Sequence, residues 1–259
     1  MSYAETNGIS LYYEEHGTGD PLILLHGGFG SVETFAGVRE ALGASRRLVL
    51  VDLQGHGRTP EVDRPLKIET LADDVAGLIE QLGGTADVLG YSFGGEVALR
   101  LGIQHPERVR NLVVVSVTAK REGNFPEVIA AFDQMTAEFA QVLRQTPVWE
   151  LYERVAPDPD AFDAVVAKVV DLLHHDYDWT AEMKNLRPRT LLLFADADSI
   201  RPEHVREMAA LIGIGHRDAG YDGSAKPTNQ LAVLPGATHY DILASPLFVP
   251  AVNAFLAVE

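Results

Sequence analysis

Apolar and polar positions follow two alternating rhythms along most of the chain. Short apolar runs, typical of buried strands, are followed by longer segments with apolar residues three or four positions apart, typical of helices that pack on one side. The predicted strands are 9–14, 21–25, 47–51, 86–89, 112–117, 190–194 and 230–234. The predicted helices are 32–42, 71–82, one that starts near Gly95, 202–211 and 247–258. Strands that alternate with helices predict a parallel, doubly wound sheet.

The rhythm stops between about Ala119 and Leu186, where three helices are predicted in succession and no strand pattern is present. We interpret this stretch as an insertion after one strand of the sheet. It predicts a core of residues 1–118 and 187–259 and a helical cap, or lid, of residues 119–186. The alternative is that these are ordinary packing helices, which explains their apolar stripes but not why the strand–helix rhythm pauses and then resumes.

Composition narrows the class of protein. A net charge of −16 over 259 residues argues against nucleic acid or an anionic membrane as a partner. The absence of cysteine excludes disulfides, a cysteine nucleophile and thiolate metal sites. No histidine spacing typical of a metal site is found, so we expect neither a metal nor another cofactor. Without a signal-peptide pattern or a membrane-spanning run, we expect a cytoplasmic protein. The sequence does not decide between a monomer and a homodimer.

The strongest candidate for chemistry is the pentapeptide Gly90-Tyr91-Ser92-Phe93-Gly94, which follows one predicted strand and precedes a predicted helix. A Gly-x-Ser-x-Gly sequence between a strand and a helix is the nucleophile elbow of serine hydrolases. To project its hydroxyl, Ser92 must adopt a strained backbone with positive φ, and the two glycines leave room for that turn. The alternative is a flexible glycine-rich turn, which the pentapeptide alone does not exclude.

An activated serine needs a base, and the base needs an acid that orients it. In open α/β sheets such groups lie beyond the carboxyl ends of the strands. His239 follows the last predicted strand and is the expected base, with His216 as its serious rival. Of the two acids that follow strand 190–194, we assign the role to Asp198, because Asp196 is expected to complete the turn.

The developing oxyanion needs two hydrogen-bond donors. The amide of Phe93 follows the nucleophile and is expected at a helix N-terminus. The second donor should come from the glycine-rich loop 26–30, whose backbone can turn its N–H groups inward. Among the other histidines, His16, His105 and His204 are interpreted as surface residues, His174 and His175 lie in the predicted insertion, and His56 belongs to the glycine-rich loop after strand 47–51.

Five motifs together resemble the α/β-hydrolase superfamily, and within it the branch of cap-bearing serine esterases, haloperoxidase-like enzymes and C–C hydrolases. The motifs are His26-Gly27-Gly28, Asp52-x-x-Gly55-x-Gly57-Arg58-Thr59, Gly90-Tyr91-Ser92-Phe93-Gly94-Gly95, Ala195-Asp196-Ala197-Asp198 and Gly236-Ala237-Thr238-His239. The resemblance implies a mostly parallel, eight-stranded sheet flanked by helices, with a helical cap. It also implies that Ser92, Asp198 and His239 form the triad. The amides of Phe93 and of Gly28 or Phe29 would form the oxyanion hole. Ala195 departs from the glycine that relatives usually carry there.

The resemblance leaves three functions open. The first is a serine hydrolase that acts on a small carboxylic ester or lactone. The second is a C–C bond hydrolase of a diketone, which needs polar or cationic groups to hold an acidic substrate, and these would have to come from Arg58, Arg121 or the cap. The third is a hydrolase fold that binds a ligand without catalysis, against which the intact triad candidates argue. In each case the cap should roof a largely apolar pocket, and we expect Tyr91, Phe139 and Trp149 to line it.

Overall fold

A computed structural model describes residues 2–257 and places eight of its strands in one sheet. The strands are β1 (Ser2–Thr6), β2 (Ile9–His16), β3 (Pro21–Leu25), β4 (Arg47–Val51), β5 (Ala86–Tyr91), β6 (Val109–Val115), β7 (Arg189–Ala197) and β8 (Gln230–Thr238). Their order across the sheet is β1-β2-β4-β3-β5-β6-β7-β8. The six strands from β4 to β8 in this order are parallel, so their carboxyl ends meet at one edge.

The first two strands, β1 and β2, form an antiparallel hairpin, and only β2 was predicted from the sequence. Asn7 and Gly8 form its turn, with φ of 46° and 79°. Positive φ at both central residues is the requirement of a type I′ hairpin turn, and Asn-Gly meets it well. The edge strand β1 alternates buried and exposed residues and is short, which is why its apolar signal is weak.

Ten α-helices are present within residues 2–257. They are α1 (Arg39–Gly43), α2 (Ile68–Gln81), α3 (Phe93–Gln104), α4 (Pro126–Gln134), α5 (Phe139–Leu143), α6 (Pro147–Val155), α7 (Phe162–His174), α8 (Thr180–Met183), α9 (Pro202–Leu211) and α10 (Phe248–Leu256). The predicted helix over 32–42 is in fact two pieces, a 3-10 turn at Val32–Phe35 and the short helix α1. Apolar spacing does not distinguish these from one continuous helix.

The sheet is covered on both faces. One core contains residues of α1 and α10, such as Leu42 and Phe255, and the other contains residues of α2, α3 and α9, such as Val75, Val97 and Met208. Central strands covered on both sides must be apolar at every position, and Leu22–Leu25 of β3 are fully buried. Burying each such side chain stabilises the fold by about 1.5–3 kcal/mol.

Between β6 and β7, and within the described residues, the chain forms the five helices α4 to α8. Helix α7 packs against both α4 and α5. Trp149 of α6 lies edge-on to Phe162 of α7, at 5.1 Å between ring centroids, and the Arg144 guanidinium lies 4.2 Å from the Trp149 ring. We call residues 119–186 the inserted segment; its aromatic side chains pack on one another and are continuous with the core on the α2–α3 side of the sheet. Across residues 2–257, no helix combines the length and the apolar character that a membrane crossing requires.

Candidate active site

Ser92 lies at the sharp turn between β5 and α3. Its φ of 52° confirms the predicted positive value. A Cβ at Gly90 would overlap the carbonyl of Gly94, and one at Gly94 would overlap the carbonyls of residues 25 and 26. The Gly94 N–H donates to the carbonyl of His26 at 2.9 Å, which ties the helix start to the glycine-rich loop. Only glycine at both positions lets the backbone turn this tightly.

Two other sheet strands bring His239 and Asp198 to the same edge. The Oγ of Ser92 lies 3.0 Å from Nε2 of His239, which follows the end of β8. The Nδ1 of His239 lies 2.9 Å from Oδ1 of Asp198, which follows the end of β7. The structure thus brings the three predicted residues into one chain of contacts. His216, the rival base, is an exposed residue of the long loop before β8.

Asp198 is held by more donors than His239 alone. Its Oδ2 accepts from Ser116 Oγ at 2.6 Å and from the Ala195 N–H at 3.1 Å, and its Oδ1 also accepts from the Ser199 N–H at 2.8 Å. Burial by itself raises the pKa of this carboxyl, but hydrogen bonds from His239 and Ser116 outweigh it, and the pKa lies below the usual range. Asp198 is therefore an ionised acceptor for the imidazole.

The contacts of His239 fix which nitrogen carries its proton. Because Asp198 accepts only, Nδ1 must be the donor, which leaves the Nε2 lone pair for the hydroxyl of Ser92. The Tyr91 hydroxyl donates to the carbonyl of His239 at 2.7 Å, which fixes the backbone of the histidine loop. Burial raises the pKa of Tyr91 to about 12, so it remains a phenol. The neutral imidazole can accept the serine proton.

The three predicted donors of the oxyanion hole lie around Ser92. Gly28, Phe29 and Phe93 line the same cavity as Ser92 and His239. Phe29 has a φ of 57°, and the Gly30 N–H donates to the carbonyl of Gly27 at 3.0 Å, as in a type II turn. Phe93 is the first residue of α3, where an N–H has no acceptor within the helix.

Two buried histidines brace this loop. Nε2 of His26 accepts from the Leu53 N–H at 3.1 Å, and its Nδ1 donates to the carbonyl of Gly27 at 2.8 Å. The ring of His56 stacks on Phe93, with 5.5 Å between centroids. Burial lowers the pKa of His26 to about 3 and that of His56 to about 4. Both histidines are neutral supports.

The Asp52 motif also has a structural role in the loops around Ser92. Asp52 is fully buried and accepts the N–H groups of Val32 and Arg58, at 2.7 and 2.8 Å. A Cβ at Gly57 would overlap its carboxylate. Arg58 is held by Glu33 at 2.9 Å and is not among the residues that line the cavity.

A cavity of about 630 Å³ opens above Ser92, between the sheet edge and the inserted segment. Its roof is largely apolar, with side chains of α4, of the residue that ends α4 and of α5: Val128 and Phe132, Met135, and Phe139 and Leu143. Phe139 was predicted here and does line the cavity. Two predicted pocket residues do not. Tyr91 lies beneath His239, and Trp149 is in the cluster with Phe162 because α6 turns that face toward α7.

Sequence reasoning missed several polar residues around the cavity. Glu96 lines it and accepts from the Tyr177 hydroxyl, and Ser116 and Ser199 hold Asp198. The signal for Glu96 was present, since it is a charged residue in a helix that is otherwise almost wholly apolar up to Arg100. His204, interpreted as a surface residue, is in fact buried, where its Nε2 accepts from the Ala119 N–H at 3.0 Å. Within residues 2–257, no group of three histidine or acidic side chains could bind a metal ion.

Comparisons with known proteins agree with this architecture. The model of the alpha/beta hydrolase family matches residues 22–251. Pimeloyl-acyl-carrier-protein methyl ester esterase from Yersinia enterocolitica is 31% identical over 91% of this chain and 93% of its own length. The putative carbamate hydrolase RutD from Azorhizobium caulinodans is 36% identical, over 48% of this chain and 47% of its own. The crystal structure of a hydrolase from Pseudomonas aeruginosa superposes with a TM-score of 0.73 and 25% identity, over 99% of this chain and 98% of that one. The chain therefore belongs to the alpha/beta hydrolase family.

Proposed function

We propose that this chain is a serine hydrolase that cleaves a small carboxylic ester or lactone through an acyl-enzyme on Ser92. The observation that carries the proposal is the chain of contacts from Ser92 Oγ through His239 to Asp198, at 3.0 and 2.9 Å, at the floor of one cavity. The names of the nearly full-length relatives, which are methyl ester esterases, support ester hydrolysis as the reaction class.

The reaction follows from these contacts. Nε2 of His239 takes the proton of Ser92 as Oγ attacks the ester carbonyl, and the resulting imidazolium is stabilised by Asp198. The imidazolium then gives the proton to the leaving alkoxide, so an alcohol departs and the acyl group remains on Oγ. Water, activated by the same nitrogen, attacks the acyl-enzyme and releases the acid and the serine.

In the tetrahedral intermediate, negative charge forms on the former carbonyl oxygen. We propose that the N–H of Phe93 and an N–H from Gly28 or Phe29 donate hydrogen bonds to this oxygen. The helix start and the left-handed turn orient these amides before substrate binds. Loss of one such donor typically raises the barrier by about 3 kcal/mol.

We further propose that the inserted segment is a cap that determines substrate selectivity. Its α4 and α5 form the apolar roof of the cavity, opposite Ser92. An apolar roof excludes water from the reacting carbonyl, and water exclusion strengthens the oxyanion hydrogen bonds. Phe132, Met135 and Phe139 would contact the acyl chain or the alcohol.

Neither arginine that the sequence offered as a receptor for an acidic diketone is free for that role, which favours a neutral ester over the substrate of a C–C hydrolase. Arg58 is bound to Glu33 and does not line the cavity. Arg121 does line it, but its guanidinium donates to the carboxylate of Asp133 and to the carbonyl of Leu173. A cation already neutralised in this way is a poor receptor for a substrate carboxylate.

The test is turnover of p-nitrophenyl esters with acyl chains of increasing length. Wild type should cleave at least the short esters, and Ser92→Ala should lose activity by a factor on the order of 10⁶ while keeping its melting temperature. Ser224→Ala, in an exposed loop, is the matched control and should behave as wild type. Near-normal turnover by Ser92→Ala would end the serine hydrolase proposal.

A further inference from the structure

Glu96 is an acidic side chain in the cavity for which the proposed mechanism has no use. It lies on α3 one helical turn after Ser92, and the Glu96 N–H donates to the carbonyl of Ser92 at 3.0 Å. Its neighbours Gly94, Gly95, Val97 and Ala98 are buried, whereas Glu96 lines the cavity. A carboxyl group therefore stands beside the nucleophile, on the side of the cavity where substrate must lie.

A short relay of hydroxyl groups holds one oxygen of Glu96. The Tyr177 hydroxyl donates to Oε1 of Glu96 at 2.9 Å. Because that donation uses the phenol proton, the hydroxyl of Thr118, at 2.6 Å, must donate to the Tyr177 oxygen. Burial raises the pKa of Tyr177 well above its ordinary value, so the phenol stays protonated. The relay joins the loop that follows β6, through Thr118, to the inserted segment, through Tyr177.

The other oxygen of Glu96 is open to the cavity. Within residues 2–257, Oε2 has no hydrogen-bond partner. It is also not one of the fully inaccessible polar atoms without a partner, so Oε2 is exposed to the space of the cavity. Glu96 also has no ion pair in that part of the chain, and the nearby Arg121 is bound to Asp133. Burial raises the pKa of Glu96 to about 7, against the opposing effect of the Tyr177 hydrogen bond. A carboxyl left without a cation in such a cavity is costly, and such groups mark ligand sites.

We propose that Glu96 is a specificity-determining residue whose Oε2 accepts a hydrogen bond from a hydroxyl group of the substrate, which makes the preferred substrate a hydroxylated ester. The proposal rests on the proposed ester hydrolysis. Ser92 immediately precedes α3 and Glu96 lies one turn into it, a rise of about 5.4 Å, so the hydroxyl should lie about four or five bonds from the ester carbonyl. The apolar roof contacts the hydrocarbon between the two groups.

Three rigid esters separate this role from simple space filling. They are the p-nitrophenyl esters of cyclohexanecarboxylate, trans-4-hydroxycyclohexanecarboxylate and 4-oxocyclohexanecarboxylate. The hydroxy ester offers a donor at about the required separation, whereas the oxo ester is similar in size and polarity but can only accept. At about pH 8 a carboxyl whose pKa is about 7 is mostly ionised and can only accept. Wild type should therefore prefer the hydroxy ester over the oxo ester in kcat/KM by roughly 10- to 100-fold.

Glu96→Gln should remove that preference. Its amide oxygen can still accept from Tyr177, which places an NH₂ donor where Oε2 was, so the hydroxy-to-oxo ratio should fall to about one or below. Glu69→Gln is the matched control, because Glu69 also lines the cavity but is exposed at its rim, and its ratio should stay that of wild type.

The possible outcomes test the role of Glu96 separately from the proposed ester hydrolysis. A wild-type hydroxy-to-oxo ratio near one, with all three esters cleaved, overturns the role of Glu96 and leaves ester hydrolysis standing. An unchanged ratio in Glu96→Gln also overturns it. If wild type cleaves none of the esters, the proposed function fails and the inference fails with it. Should Glu96→Gln not fold, the wild-type ratio alone decides.

Discussion

Replacing Asp198 by asparagine keeps the shape of the side chain but turns one of its two acceptor oxygens into a donor. Both oxygens already face N–H groups. Oδ1 accepts from His239 Nδ1 at 2.9 Å and from the Ser199 N–H at 2.8 Å, and Oδ2 accepts from the Ala195 N–H at 3.1 Å. Whichever oxygen becomes NH₂, two donors then face each other.

The loss of activity follows from either arrangement. With NH₂ at Oδ1, Nδ1 of His239 faces a donor and keeps only the Ser199 hydroxyl, at 3.0 Å, as a partner for its proton. Where Nδ1 instead accepts from the new NH₂, its proton moves to Nε2, which can no longer take the proton of Ser92. With NH₂ at Oδ2, the imidazole keeps its orientation but loses the charge that stabilises its protonated form. A misoriented or unstabilised base costs about 10⁴ in turnover in triads of this kind, or about 5 kcal/mol of barrier.

The assay is kcat/KM on a short p-nitrophenyl ester, with the melting temperature measured on the same samples. Asp196→Asn is the control, since Asp196 is exposed and, within the described residues, accepts only the Ala237 N–H, at 3.2 Å; this variant should lose less than about tenfold in kcat/KM. Activity of Asp198→Asn within tenfold of wild type would refute the reasoning. So would an equal loss in both variants, because the acid would then not be specified by its contacts.

Three further predictions concern the cavity, the elbow and a buried histidine. Phe139→Ala should change the preference between long and short acyl esters on the order of 10-fold, because Phe139 lines the cavity, whereas Trp149→Ala should lower the melting temperature and affect all esters alike. Gly90→Ala should destabilise the fold by about 1–3 kcal/mol or more in denaturant unfolding, because its Cβ would overlap the carbonyl oxygen of Gly94. A Cβ at Gly37 would meet no atom of residues 2–257 within 4 Å, so Gly37→Ala should be neutral or stabilising by about 0.5 kcal/mol. Burial lowers the pKa of His56 from 6.5 to about 4. Between these two pH values the unfolded state therefore binds one more proton than the folded state, and the stability falls as the pH falls. Relative to His56→Asn, the unfolding free energy of wild type should drop by about 1.4 kcal/mol for each pH unit over that range.

Each of these has a clear contrary result. A changed ester preference in Trp149→Ala, with none in Phe139→Ala, would mean that α6 rather than α5 contacts substrate. A stable Gly90→Ala would contradict the tight approach of β5 to α3. A difference between wild type and His56→Asn that does not vary with pH would mean that His56 is not held neutral.

Elements in the middle of the sheet were predictable because their burial leaves a continuous apolar run. Strands Pro21–Leu25 and Arg47–Val51 match their predicted bounds. The helix Pro202–Leu211 also matches, because its apolar residues recur at helical spacing after a proline that starts it. The edge strand Ser2–Thr6 was not predicted, because only one of its faces is buried and its apolar signal is weak. Residues 32–42 were predicted as one helix although they form two pieces, because a 3-10 turn and an α-helix have similar apolar spacing over so few residues.

The contacts of the candidate site were predictable where one short motif imposes the geometry. Glycines around Ser92 are needed for one backbone turn, and strand ends bring His239 and Asp198 to one edge. The contact of Glu96 with Tyr177 spans 81 positions, and no local pattern encodes it. Which face of a helix meets the cavity depends on packing between helices. For that reason Trp149 was predicted to line the pocket, whereas it packs against Phe162. The division into core and cap remains a proposal.

The central claim is that Ser92 forms the covalent intermediate, and the most direct measurement is the mass of the labelled enzyme. A fluorophosphonate should add a single phosphonyl group to wild type, peptide mapping should locate it on Ser92, and ester turnover should fall in proportion to labelling. Ser92→Ala should take up no label. Label on another residue, or full turnover by fully labelled enzyme, would contradict the account.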